Sequence, residues 1–367
     1  MGFSTLTQRK SQEFSSVQAL RAVAAMVVVL FHLLPFEARY MPGSPVIPQI
    51  FVLGEYGVDL FFVISGFIIT MSSRGLFQDR RGALSFLVRR LTRVYPLYWF
   101  YAAILLAVYA IQPHIFSGAR GRPDILASFL LYPSNGALLL LVSWTLTFEV
   151  QFYLIFTTAL LLVSEKKLPL VIAAWAVIIV ARGILFDGTL GRAEILFDKL
   201  NMEFIFGCLI AFYASHLSKR VGILSFIAAM ALCLTGGLLF RRMDGSLEDG
   251  WPRILFAGGG ASFVLLAAVI WEADLRRWLP RALVVQGSWS YSMYLSHLLV
   301  IAIVGLLWKV ISVQTGPVTH VLALTTAFLT SIVFAWTSFR YVERPLLKVS
   351  RRSMSREGET PSSMRPI

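Results

Sequence analysis

Seven ionisable side chains stand inside stretches otherwise too apolar for them: Arg21, His32, Asp59, Glu149, Arg182, Glu203 and His297. A charge at the centre of a bilayer costs about 2.5–3.5 kcal/mol even on the most lenient scale, so each is a candidate for function. A histidine can take up and return a proton near neutral pH, whereas a guanidinium stays charged. Arg21 and His32 are eleven residues apart. On a helix that spacing is three turns plus about 20°, with about 16 Å between them along one face. The pair suits an anion anchor near one membrane edge and a general base deep within it. By itself the spacing is a weak signal, since any long helix face offers such pairs.

A second cluster reads Phe86-Leu-Val-Arg89-Arg90-Leu-Thr-Arg93-Val-Tyr95-Pro96, between the second and third apolar runs. Arg90 and Arg93 share a face if this segment is helical, and a guanidinium matches phosphate geometry. An ordinary basic loop resting on lipid headgroups would look the same.

These residues must be positioned by membrane helices. Of 367 residues, 57% are hydrophobic and 14% charged, against about 25% charged in a soluble domain. A soluble enzyme, a disordered chain and a secreted disulfide scaffold are excluded. Apolar runs of about 20 residues, the length of a transmembrane helix, lie near 17–36, 52–71, 94–112, 143–163, 168–185, 199–217, 222–240, 254–271, 284–306 and 319–339. The expected fold is an all-α polytopic integral membrane protein with about ten transmembrane helices. The runs do not alternate as barrel strands would. A shorter stretch, Ile125 to Tyr132, reads as interfacial or re-entrant. The first run carries Arg21 and lacks a small-residue cleavage pattern, so it is expected to be a retained anchor.

The chain has 33 Lys and Arg against 20 Asp and Glu, a net charge of +13. With ten spans and the N-terminus inside, 22 Lys and Arg fall in cytoplasmic segments, eight in the opposite loops and three in or at spans. This asymmetry predicts that both termini are cytoplasmic, and no nucleic-acid partner is needed to explain the basic excess. The expected organisation is a cytoplasmic N-tail over 1–16, one membrane domain over 17–339 and a basic tail over 340–367, disordered towards its end. Cys208 and Cys233, both inside apolar runs, are too few for a disulfide framework or a zinc site, and no metal is expected.

Depth along each span follows from about 1.5 Å per residue. His32, His297 and Arg182 then lie about 20–22 Å from the inner edge, and Asp59, Glu149 and Glu203 about 6–10 Å below the outer one. One polar layer in the outer half is expected, either a reaction chamber or a set of structural ion pairs.

The chain resembles the acyltransferase-3 family of integral membrane O-acyltransferases, in particular its exopolysaccharide acetyltransferase branch. The resemblance rests on Arg21-x10-His32 in RAVAAMVVVLFH, GVDLFFVISGFII (Gly57–Ile69), the Arg90-x-x-Arg93-x-x-Pro96 segment and SWTLTFEVQFYLIF (Ser143–Phe156). EFIFG (Glu203–Gly207), SWSYSMYLSH (Ser288–His297) and YVERP (Tyr341–Pro345) extend it across most of the chain. One departure is Val150 directly after Glu149, where many members carry a second acid. No appended esterase-like domain is expected.

The resemblance implies transfer of an acyl group, most simply acetyl, from cytoplasmic acyl-CoA to a sugar hydroxyl of an exported or cell-surface glycan, in the inner membrane. It implies an acyl-CoA donor such as acetyl-CoA, held at Arg90, Arg93 and Arg21, and a glycan or lipid-linked saccharide acceptor. His32 is the expected general base, with Glu149 or Asp59 orienting its imidazole, although an acyl-histidine intermediate is equally open. His297, Tyr153, Glu203 and Arg182 are secondary candidates; His114, His216 and His320 are given no role. The rival class is a proton-coupled transporter or flippase, because membrane-embedded acids and histidines also form proton relays. Transporters often have matching inverted halves, and none is visible here.

Overall fold

A computed structural model describes residues 14–113, 122–134, 136–186, 190–242, 250–311 and 316–349. His114, the N-tail before Phe14 and the tail beyond Val349 lie outside the described residues. The described chain is helical, in the order α1 (Ser15–Tyr40), α2 (Gly57–Ser73), α3 (Arg80–Ile111), α4 (Ile125–Leu130), α5 (Trp144–Leu162), α6 (Leu168–Leu185) and α7 (Asn201–Tyr213). Then follow α8 (Lys219–Arg242), α9 (Trp251–Arg253), α10 (Gly259–Ile270), α11 (Glu272–Trp278), α12 (Arg281–Ser288), α13 (Ser290–Ile311) and α14 (Pro317–Ser338). The protein is an all-α, multi-pass membrane protein, as its apolar runs required.

Nine helical stretches among the described residues are long and apolar enough to cross a bilayer. The tenth expected span, 199–217, is the shorter α7, whose 13 residues cover about 20 Å. Its start is set back by the 3-10 turn Gly191–Phe197 and by Asp198, which accepts from Leu200 N at 2.8 Å. Asn201 also donates to Ile195 O at 2.7 Å.

Side-chain contacts fix the relative directions. Gly57 of α2 meets Ala24 and Val27 of α1, and Phe67 meets Phe14, so α1 and α2 are antiparallel. Phe62 stacks on Phe204 at 4.6 Å, while Arg74 donates to Ala211 O at 2.9 Å, so α2 and α7 run parallel. Gly287 lies against Gln18, His297 against His32 and Gly305 against Tyr40, so the α12–α13 pair runs parallel to α1. At one face Ser15 N donates to Glu272 at 2.7 Å, Gly75 N to Glu165 at 3.3 Å and Lys219 to Asp274 at 2.6 Å. Arg93 joins Glu343 at that face too, so the first and last described segments share a side.

Two expectations about boundaries change. The basic Arg89–Arg93 segment is not a loop but the first half of α3, 32 residues long and capped by Asp79, whose carboxylate accepts from Arg81 N and Gly82 N. At the other end the helix does not stop at 339. It passes through a π-turn over Phe339–Glu343 and stays helical to Val349, which carries YVERP back against the bundle.

The short stretch after residue 124 forms α4. Asp124 caps it by accepting from Ala127 N at 2.9 Å. Tyr95, Tyr98 and Trp99 of α3 donate to the carbonyls of Leu130, Ser128 and Phe129, supplying partners that a helix C-terminus lacks. At the opposite face from Glu343, Glu37 accepts from Val46 N, Ile47 N and His320 Nδ1 at 2.8, 3.1 and 2.7 Å. This buried carboxylate binds α1, its following loop and α14 together.

Candidate active site

Helical periodicity builds the central cavity. Val58, Phe61, Phe62, Ser65 and Ile68 recur at three- and four-residue steps on one face of α2, and Thr145, Glu149 and Tyr153 do the same on α5. Together with Arg21, Arg90, Arg93, Tyr291 and Tyr294 they enclose about 150 Å³. From Ile68 to Val58 the cavity follows α2 for ten residues, or about 15 Å.

Its chemistry is graded along that length. Arg90 and Arg93 stand at the end nearest the face that holds the start of α1. Arg93 is held by Glu343 at 2.6 Å and lies over the Tyr291 ring, and Glu343 in turn accepts from Ser292 at 2.6 Å. Arg90 donates to Ser72 and lies over Phe86. Arg21 lines the same space, and among the described residues it forms no hydrogen bond. Glu149 accepts from the Tyr153 hydroxyl at 2.5 Å and from Ser65 at 3.1 Å, so the carboxylate is fixed inside the cavity. At the far end the Tyr294 hydroxyl donates to Val142 O at 2.9 Å beside Thr145.

His32 and His297 meet beyond Tyr294. His32 Nδ1 is 2.8 Å from Val28 O and 3.3 Å from His297 Nε2, while His297 Nδ1 is 3.1 Å from Met293 O. The His297 ring is 4.9 Å from that of His32 and 6.0 Å from that of Tyr294, centroid to centroid. His32 itself is not part of the cavity wall.

The expected single polar layer therefore separates into groups. Neither Glu149 nor Asp59 orients His32, because each is bonded elsewhere: Glu149 to Tyr153 and Ser65, Asp59 to Arg253. Arg253 donates to both Asp59 oxygens, at 3.0 and 2.9 Å, and to Glu55 at 2.9 Å. Glu203 is fully buried near this cluster, and a Cβ at Gly258 would come within 2.9 Å of it. The absence of that Cβ, on a π-turn over Ile254–Gly258, makes room for the acid. Arg182 is not in the site at all. It donates to Phe186 O and pairs with Glu194 at 3.2 Å near the end of α6, because the following loop folds back on it.

Arg253 escaped the sequence reading because it precedes the apolar run at 254 and counted as a loop residue. Glu343 escaped because it was assigned to the tail, although YVERP marked its place. Ser65 and Tyr291 lie inside the motifs at Gly57–Ile69 and Ser288–His297, but as uncharged residues in apolar runs they were not marked as candidates.

Comparison with known proteins bears directly on this arrangement. Residues 14–339 match the family described as acyltransferase domain. The chain belongs to this family. It is 30% identical over 319 residues to the exopolysaccharide production protein ExoZ of Rhizobium meliloti (strain 1021), covering 82% of this chain and 92% of that protein. It is also 25% identical over 370 residues to the O-acetyltransferase OatA of Staphylococcus aureus (strain NCTC 8325 / PS 47), covering 90% of this chain and 57% of OatA. No solved structure matches it. This membrane acyltransferase thus carries its cavity and its histidine pair within the matched region.

Proposed function

We propose that this acyltransferase transfers an acetyl group from acetyl-CoA, bound from the cytoplasmic face, to a sugar hydroxyl of an exported or cell-surface glycan. The observation that carries the reading is the cavity: three guanidiniums line it, and its far end stops one tyrosine ring short of the His32–His297 pair. Acyl-CoA has its anionic phosphates at one end and its thioester at the tip of a thin arm, which matches that gradation. Arg90 and Arg93 are assigned to the phosphates, with Arg21 as the unbonded anion anchor further in. Glu149 and Tyr153 shape the passage.

His32 is assigned as the general base. It accepts the proton of the acceptor hydroxyl, the oxygen attacks the thioester carbonyl, and the carbon–sulfur bond breaks to release CoA thiolate, which takes up a proton. The relatives support the acceptor class: one is named for exopolysaccharide production and the other as an O-acetyltransferase. Assignment of the basic face to the cytoplasm follows the charge asymmetry, and the inner membrane is the corresponding location.

Comparing glycan masses between a deletion strain and its parent tests this reading. The deletion should remove the mass of one acetyl group per modified sugar, and complementation should restore it. Identical glycan masses in the two strains would refute the assignment.

A further inference from the structure

The two histidines are locked in a defined order of donors and acceptors. Each Nδ1 lies against the carbonyl four residues back on its own helix, Val28 O for His32 and Met293 O for His297. A carbonyl only accepts, so each Nδ1 carries the proton and, in a neutral ring, each Nε2 carries the lone pair. His297 Nε2 is then an acceptor 3.3 Å from His32 Nδ1, and the His32 N–H is shared between it and Val28 O in a three-centre bond. His32 Nε2 has no partner among the described residues. His297 is completely buried, while His32 retains some exposure.

We propose that His297 is a positioning residue for the transfer: it holds the His32 ring with Nε2 as its free base and stabilises the imidazolium formed when that atom takes the hydroxyl proton. This rests on His32 being the base. In a serine protease a carboxylate occupies the corresponding place behind the histidine. Here the two nearby carboxylates are engaged elsewhere, and a neutral imidazole does the task without burying an unpaired charge in the resting membrane protein. Among the described residues, the only titratable neighbour besides each other with a ring contact to this pair is Tyr294 on α13, whose hydroxyl is directed to Val142 O. The 265-residue separation of the pair is closed by the parallel packing of α1 and α13.

The test uses the full-length protein in lipid nanodiscs with 15N-labelled histidine, the His32 signal being assigned by its loss in His32→Gln. In the resting protein His32 should carry its proton on Nδ1 and none on Nε2; a proton on Nε2 would overturn the proposal whatever the enzyme's activity. Activity is then compared for His297→Leu and His297→Gln, the latter offering an amide oxygen as acceptor. The Leu variant should lower kcat about 100-fold, within the range for general-base catalysis, with KM for acetyl-CoA within twofold and the His32 titration midpoint shifted to lower pH. The Gln variant should recover at least tenfold of that loss and most of the shift. Equal losses in the two variants, or an unmoved His32 titration, would reduce His297 to a packing residue. Wild-type protein that transfers no acetyl group would instead count against the proposed reaction, and the nitrogen spectra would still decide the role of His297.

Discussion

Three arginines line one cavity, yet their partners give them different tasks. Arg93 is already neutralised by Glu343, Arg90 is steadied by Ser72, and Arg21 forms no hydrogen bond among the described residues. Replacing Arg90 and Arg93 together by Ala is expected to weaken acetyl-CoA binding in a salt-sensitive way while leaving acceptor use unchanged; a binding titration at two ionic strengths checks it. His32→Ala should abolish transfer while the protein inserts and accumulates normally. Asp59 behaves differently. Asp59→Ala takes away the carboxylate whose two oxygens accept from Arg253, which is only 5% exposed. Breaking a buried pair costs about 3–5 kcal/mol, so this variant should lose thermal stability in detergent, whereas Glu149→Gln, facing the cavity, should melt near wild type. Equal melting of the two variants would argue against the structural role of Asp59.

Between residues and the bundle stand the contacts that hold α2 beside α7. A Cβ at Gly66 would lie 2.0 Å from Phe204 O, and one at Gly207 2.0 Å from Val63 O. Backbone meets backbone there, so neither side can yield without moving a helix that lines the cavity. Gly66→Ala and Gly207→Ala are each expected to lower both yield and melting temperature, measured by fluorescence size-exclusion and thermal unfolding. Gly237 is the control, since its added Cβ would meet only the side-chain tip of Leu53 at 3.2 Å, and Gly237→Ala should accumulate normally. Aromatic rings extend the same contact: Phe204 stacks on Phe62 and on Phe152, both at 4.6 Å, tying α2, α7 and α5 into one wall.

At the scale of the molecule, sidedness is the main consequence. Arg90 and Arg93 open towards the face that holds the ends of α1 and α14, and His32 lies eleven residues beyond Arg21, or about 16 Å. If that face is cytoplasmic, CoA need not cross the membrane; only the acetyl group travels inward. In sealed inside-out vesicles, acetyl-CoA added to the medium should acetylate acceptor trapped in the lumen. Transfer only when donor and acceptor share the medium would overturn passage of the acetyl group through the protein, though not the identity of the base. The loop after α1, fastened by Glu37 to Val46 and Ile47, is the described segment best placed to meet an acceptor from the far side.

Composition and hydrophobic run length alone determined that this is a helical membrane protein, because a bilayer demands about 20 apolar residues per crossing and nothing else in a chain imitates that pattern. Helical phase alone put Arg90 beside Arg93 and Arg21 on one face with His32. Both are local properties, set by 100° and 1.5 Å per residue. What the sequence could not supply was partnership. Depth estimates grouped His32, Asp59 and Glu149 at one level, but a level is a plane, and position within it depends on which helices touch. Only the packing of α13 against α1 joined His32 to His297. Only the entry of Arg253 at the head of the α9–α10 segment paired Asp59 with a guanidinium, and only the π-turn after α14 brought Glu343 to Arg93. Each of these pairs spans 194 residues or more, and short-range spacing holds no information about contacts that distant.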